Sequence, residues 1–239
     1  MAIQRDIKFV GTVNGIIYYE VNNQYYMRTV PENVEQTPAS RASANILGNA
    51  STMGRLQRES LVGFIPNAKD KGMQNRLTTA FQYFTYRQQG RVFCIQLVTN
   101  TLETFAFNTR ARSNTHLRKL AKASLITGEG VEIRIKAFNP VKLFHTPGAV
   151  VSVRFLMAAT VLDINQMQVK DSCILAAEMP YTDQEVGTQQ IVLPVEAGTG
   201  CIVTSGVAVQ FCTSVQQGAA PLQNLRYLPA ILTGAWWLK

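Results

Sequence analysis

The sequence predicts an α+β fold dominated by an antiparallel β-sandwich, with an N-terminal β-meander and a helical hairpin. Three observations carry that expectation. From about residue 125 onward, alternating apolar segments are punctuated by Gly and Pro, with turn signals about every ten to fifteen residues, as in a β-sandwich. Near the N-terminus, Asn14-Gly15 separates two apolar runs, and Asn-Gly favours the type I′ turn because both central residues need positive φ. Between these regions lie two stretches with helical rather than strand periodicity.

Taken in order, Ile7–Val13 and Ile16–Val21 form the first hairpin, and Asn22-Asn23 turns the chain into Tyr25–Val30. Tyr18, Tyr19, Tyr25 and Tyr26 make this meander aromatic, which suits either cross-strand packing or docking to another surface. Thr37 is a good N-cap and Pro38 suits the first helical position, so a helix is expected over Pro38–Val62. Its apolar stripe is Ile46, Leu47, Ala50, Met53, Leu56 and Leu61, with Arg41, Arg55 and Arg58 mostly off it, and Gly48 and Gly54 are candidates for close packing. A second helix is expected over Asp70–Arg87, with Met73, Leu77, Phe81 and Phe84 or Tyr83 as its core ladder and Gly90 as its cap. A turn around Pro66–Lys69 joins the two helices.

Strands then dominate. Val92–Val98 and Leu102–Phe107 read as a pair, and Ser113–Ala123 as a short basic helix. Gly130–Phe138 alternates cleanly: Val131, Ile133, Ile135 and Ala137 point inward, and Glu132, Arg134 and Lys136 outward. Further strands fit Ala149–Ile164, Cys173–Glu178, Gln189–Val195, Gly200–Cys212 and Arg226–Leu238. The organisation expected is a basic region, 1–90, followed by the β-sandwich, 91–239.

Charge is asymmetric. Of 23 Lys and Arg, 16 lie at or before Lys122, against 7 Asp and Glu, while the remainder holds 7 bases and 8 acids. Arg110, Arg112, Arg118, Lys119 and Lys122 fall within thirteen residues containing no acid, a candidate contact for nucleic acid or an acidic protein surface. Charged residues make up only 16% of the chain, against about 25% in an average domain, and a weakly charged surface suits a protein that covers itself by assembling. No apolar signal segment follows the first residues and no run reaches the length of a membrane span, so synthesis in the cytoplasm is expected.

Motifs for chemistry are sparse. His116 and His145 have no second ligand at metal spacing. Cys94, Cys173, Cys201 and Cys212 lack a C-x-x-C arrangement and are expected as free thiols, with Cys201 and Cys212 on opposite sides of one strand. There is no Walker A loop, no Gly-x-Gly-x-x-Gly, no Gly-x-Ser-x-Gly elbow and no spacing that pairs the scattered carboxylates. No cofactor and no catalytic residue is expected.

Phe9-Val-Gly-Thr-Val-Asn-Gly-Ile-Ile-Tyr18, the Arg41–Arg55 helix, Gly148–Phe155 through Asp163, and Gly198–Phe211 occur in this order. Together they resemble a group of uncharacterised Bacteroidota proteins that begin with a Gly-rich hairpin and end in an immunoglobulin-like β region. The resemblance implies an immunoglobulin-like form for the sandwich and implies no chemistry. The Cys-rich end and the Ala235-Trp236-Trp237-Leu238 terminus depart from that pattern.

The leading expectation is a non-enzymatic structural or assembly protein that forms a homo-oligomer through β edges and aromatic contacts. Its candidate contacts are Tyr18, Tyr19, Tyr25, Tyr26, Trp236 and Trp237. Adjacent tryptophans on one strand face opposite sides, so one is expected in the core and the other either free for a partner or buried as well. Two alternatives are a virion-type or nucleic-acid-associated protein using Arg110–Lys122, and a glycan-binding or small-molecule-binding β-sandwich using the tyrosines.

Overall fold

The computed structural model describes residues 3–5, 8–32, 35–65, 70–88, 101–126, 128–144, 146, 148–215, 218–222 and 224–238. The expected strand Val92–Val98, the turn Pro66–Lys69, the cap Gly90, and Cys94 and His145 lie outside these residues. The chain divides into two compact units, Met1–Ala44 and Asn45–Lys239. From Asn45 on, the helices belong to the same unit as the strands that follow. The fold is mostly β, with antiparallel sheets and four helices among the described residues.

The first unit holds a four-stranded antiparallel meander of β1 (Ile3–Arg5), β2 (Lys8–Val13), β3 (Ile16–Val21) and β4 (Gln24–Thr29). Both expected turns form, with φ of 48° and 76° at Asn14 and Gly15, and 51° and 64° at Asn22 and Asn23. Positive φ at both central residues is the type I′ geometry, whose twist matches the flanking strands. Asn tolerates it because its short side chain bonds locally.

Helix α1 (Pro38–Ser60) starts where expected: the Thr37 hydroxyl oxygen accepts the Ser40 N–H at 3.2 Å. Its buried stripe begins later than the sequence implies. Ala50, Met53 and Leu56 are buried, whereas Ile46 is only half-buried and Leu47 is exposed. α2 (Met73–Gln88) buries Met73, Leu77, Phe81 and Phe84, and leaves Tyr83 exposed. The two helices approach closely at Gly54, where an added Cβ would lie 3.5 Å from the Thr78 hydroxyl, while Gly48 has open space around it.

The helices cover one face of a five-stranded sheet. It contains β7 (Val150–Asp163), β8 (Gln168–Pro180), β10 (Cys201–Val215), β11 (Gly218–Pro221) and β12 (Ala230–Leu238). β10 pairs β7 along one edge and shares its other edge between β12 and β11. Because side chains alternate, the sheet feeds two cores. Leu156, Ala158, Leu162, Ile202 and Ala208 meet α1 and α2, while Val153, Phe155, Met157, Val203, Val207 and Phe211 point the opposite way. There they meet a three-stranded sheet of β5 (Ala121–Ile126), β6 (Gly130–Ile135) and β9 (Gln189–Leu193). Cys201 joins the second core, and Cys173, Cys201 and Cys212 are free thiols.

One expected strand does not form. Residues 101–104 are turns, and Ala106 makes a single antiparallel bridge to Ile231. Leu102, Phe105 and Phe107 are all buried in the helical core, and spacings of three and two residues cannot sit on one face of a regular strand. The Phe105 carbonyl and the Phe107 N–H instead bond β12 at Leu232 and Ala230, each at 2.8 Å.

Candidate functional site

The short basic helix is α3 (Asn114–Leu120), running directly into β5. Its His116, Lys119 and Leu120 share a face, as residues three and four apart do on a helix. Opposite that face the chain leaves β6 early. β6 ends at Ile135, but the Lys136 N–H still bonds the Leu120 carbonyl at 3.0 Å in the β5–β6 register, and inward–outward alternation fails at the next residue. Ala137, expected inward, is exposed, and Phe138 takes the core position with its ring against Phe144 and Phe155. Phe138 is held by two backbone bonds with Val186, at 3.0 and 2.8 Å.

A four-residue helix, α4 (Pro140–Leu143), closes the far side. Pro140 suits its first turn, and the Asn139 side chain caps it by accepting the Lys142 N–H at 3.1 Å. The Asn139 amide also donates to Asp183 at 2.8 Å, which places that carboxylate 3.9 Å from the Lys142 ammonium.

The result is an open groove of about 350 Å³. Four bases converge on it: His116, Lys119, Lys136 and Lys142. Leu120, Ala137, Phe138 and Leu143 give it an apolar floor. Lys122 and Arg134, directly paired across β5 and β6, are both exposed on the outer side of the three-stranded sheet, where Lys136 follows Arg134 by two residues. Among the described residues no carboxylate forms an ion pair with Lys119, Lys122, Arg134 or Lys136.

The structure therefore divides the expected basic cluster. Lys119 enters the groove and Lys122 lies on the adjoining sheet face. Arg118 turns away and donates to the Thr104 carbonyl, with its Nε buried and unpaired. Arg110 and Arg112 are exposed in the segment before α3 and do not line the groove. Sequence reasoning missed Lys136 and Lys142 because they fall in the near-neutral half. The available signals were the outward position of Lys136 on its strand and the Asn139-Pro140 turn, which brings Lys142 back beside it.

The aromatic candidates divide too. In the meander, register places Tyr18 opposite Met27 and Glu20 opposite Tyr25 on one face, and Tyr19 opposite Tyr26 on the other. Tyr19 and Tyr26 stack at 5.6 Å, Arg28 lies 5.7 Å over the Tyr19 ring, and the Tyr26 hydroxyl bonds Gln24. On the first face Tyr25 is 37% and Met27 71% exposed. Every residue of β4 is exposed, and the strand is an edge of its sheet.

At the C-terminus, Trp236 pairs with Val203 and Trp237 with Ile202, so the two rings fall on opposite faces as expected. Each packs on a core: Trp236 joins the sheet-to-sheet cluster, and Trp237 joins the helical one, 6.5 Å from the Phe84 ring.

Among the described residues no group of three or more His, Cys, Asp or Glu is placed to hold a metal ion, and no helix is long and apolar enough to cross a membrane. No family model, no curated protein and no solved structure matches the chain.

Proposed function

We propose that the chain is a non-enzymatic structural protein that assembles with copies of itself through its N-terminal meander. The observation that carries this reading is β4: an edge strand, exposed along its whole length, beside the exposed Tyr25 and Met27 and the part-exposed Tyr18. An edge strand offers unpaired N–H and C=O groups to another strand, and its side chains supply the apolar contact that makes such pairing stable. Natural edges are commonly protected by charge, proline or a bulge. β4 has one charge, Arg28, which is engaged with Tyr19, and no proline. A second copy is the partner of choice because an edge with its own register is complementary to itself in the antiparallel sense.

Trp236 and Trp237 serve this reading as core anchors rather than contacts, since each ring already packs on its own cluster. The strands of the second unit are read as a β-sandwich of immunoglobulin-like type. Two antiparallel sheets sharing one core support that reading, and the helices on the opposite face of the larger sheet are this chain's addition to it.

Sedimentation velocity on the wild type and on a Tyr25→Glu/Met27→Glu variant tests the proposal. The wild type is expected to sediment as an oligomer and the variant as a folded monomer. Equal sedimentation of the two proteins overturns the assignment to β4.

A further inference from the structure

We infer that the groove between α3 and α4, continued by the outer face of β5 and β6, binds the sugar–phosphate backbone of a single-stranded nucleic acid. This inference stands apart from the meander and uses no residue of it. Its first support is convergence. His116 and Lys119 from α3, Lys136 from the end of β6, and Lys142 from α4 reach one groove from three elements. A merely solvated basic face needs no such convergence.

The second support is extension. Arg134 and Lys136, the first residue past β6 and still in its register, lie about 7 Å apart by strand rise and are both exposed. Lys122 stands directly across from Arg134. The positive charge thus runs on from the groove along the sheet, further than one small anion would need.

The third is the sparse counter-charge. Like charges directly opposed across a sheet repel; among the described residues the ion pair of this set is Lys142 with Asp183, and Glu132, two residues from Arg134 on the same face, bonds Ser124. A polyanion supplies counter-charge beyond that of Asp183 and Glu132. A single strand fits because a shallow track on a sheet, with an apolar floor against sugars and bases, follows one backbone rather than two. Phe138 is only 6% exposed, so it forms floor rather than a stacking platform, and binding is expected to be indifferent to sequence.

The test is fluorescence anisotropy on the full chain with a labelled oligo-dT of about 20 nucleotides, longer than a single site. Titrations run across a salt series, with the matching duplex as competitor. The triple variant Lys119→Gln/Lys136→Gln/Lys142→Gln is expected to bind at least about tenfold more weakly. Its log–log salt slope should be lower by about two, at about 0.7 per phosphate contact on a single strand. Arg110→Gln/Arg112→Gln, outside the groove, is expected to bind as the wild type does. Unchanged urea midpoints show that all three proteins are folded. The inference is overturned by no binding at low salt, by an unchanged slope in the triple variant, by an equal loss in the Arg110/Arg112 variant, or by preference for the duplex.

Discussion

Lys122 and Arg134 are direct partners across β5 and β6, two cations facing each other on an exposed sheet surface. Cross-strand pairs of like charge destabilise a sheet, and opposite pairs stabilise it by about 0.2–1 kcal/mol. Lys122→Glu is therefore expected to raise the urea midpoint at low salt, with the gain fading at high salt as screening removes it. The same substitution is expected to weaken oligonucleotide binding. A variant that gains stability while losing binding identifies a surface kept basic at a cost to the fold.

Asp70 ties the start of α2 to the loop that replaces the expected strand. Its carboxylate accepts from the Thr109 hydroxyl at 2.7 Å, Arg76 at 3.0 Å, and the N–H groups of Gly72 and Thr109 at 3.1 and 3.2 Å. These bonds, the Thr109 hydroxyl foremost, hold its carboxyl far below the ordinary carboxylate range, against a partial opposing effect of burial. A depressed folded pKa stabilises the protein above the unfolded value, near 4, and that stability is lost as pH falls from about 5 toward the folded value. Asp70→Asn is expected to be less stable at neutral pH and to lose less on acidification. Urea midpoints measured from neutral pH down to about pH 3 should converge.

Two glycines with positive φ separate backbone strain from crowding. Gly15 has φ of 76° and nothing within 4 Å of an added Cβ, so Gly15→Ala is expected to cost about 1–2 kcal/mol. Gly130 has φ of 118°, and its Cβ would lie 2.2 Å from the Leu193 carbonyl oxygen in the backbone of β9. Gly130→Ala adds that collision to the strain and is expected to cost more, on the order of 3 kcal/mol or above. Equal losses in urea unfolding would show that the β6–β9 contact yields.

A polar pair sets the register of α1 on the large sheet. The Thr204 hydroxyl donates to Gln57 Oε1 at 2.9 Å inside the helical core, and Ser60 meets Thr160 at 3.1 Å nearby. Thr204→Val leaves the buried Gln57 carbonyl unpaired and is expected to cost about 1–3 kcal/mol. Replacing both, with Gln57→Met, should recover part of that loss. A double-mutant cycle in urea checks it, with additivity counting against a coupled pair.

Local signals made the hairpin turns, the start of α1 and the bounds of β2, β3 and β7 legible in the sequence, while β1, β5, β11 and α4 go unmarked in it. Asn14-Gly15, Thr37-Pro38 and the alternation over Val131–Ile135 each act through neighbours in the chain. The segment Leu102–Phe107 was not legible, because its three apolar anchors follow the shape of a core built by α1, α2 and β12. The site was half legible. Lys119 and Lys122 announced themselves as part of a charge run, but the run itself is dispersed by α3, which turns Arg118 toward Thr104. Lys136 and Lys142 join the groove through the early end of β6 and the cap at Asn139, which no charge count reveals. The tyrosines form one group in the sequence, yet strand parity puts Tyr18 and Tyr19 on opposite faces.

Light scattering on a gel-filtration column after nuclease treatment tests self-association most directly. Absorbance at 260 and 280 nm reports any nucleic acid carried along. The expected result is a homogeneous particle, several times the 26.5 kDa mass of one chain, that survives the nuclease. A monomer at every concentration would contradict assembly through β4, and a particle that falls apart when the nucleic acid is digested would transfer its assembly to the basic groove.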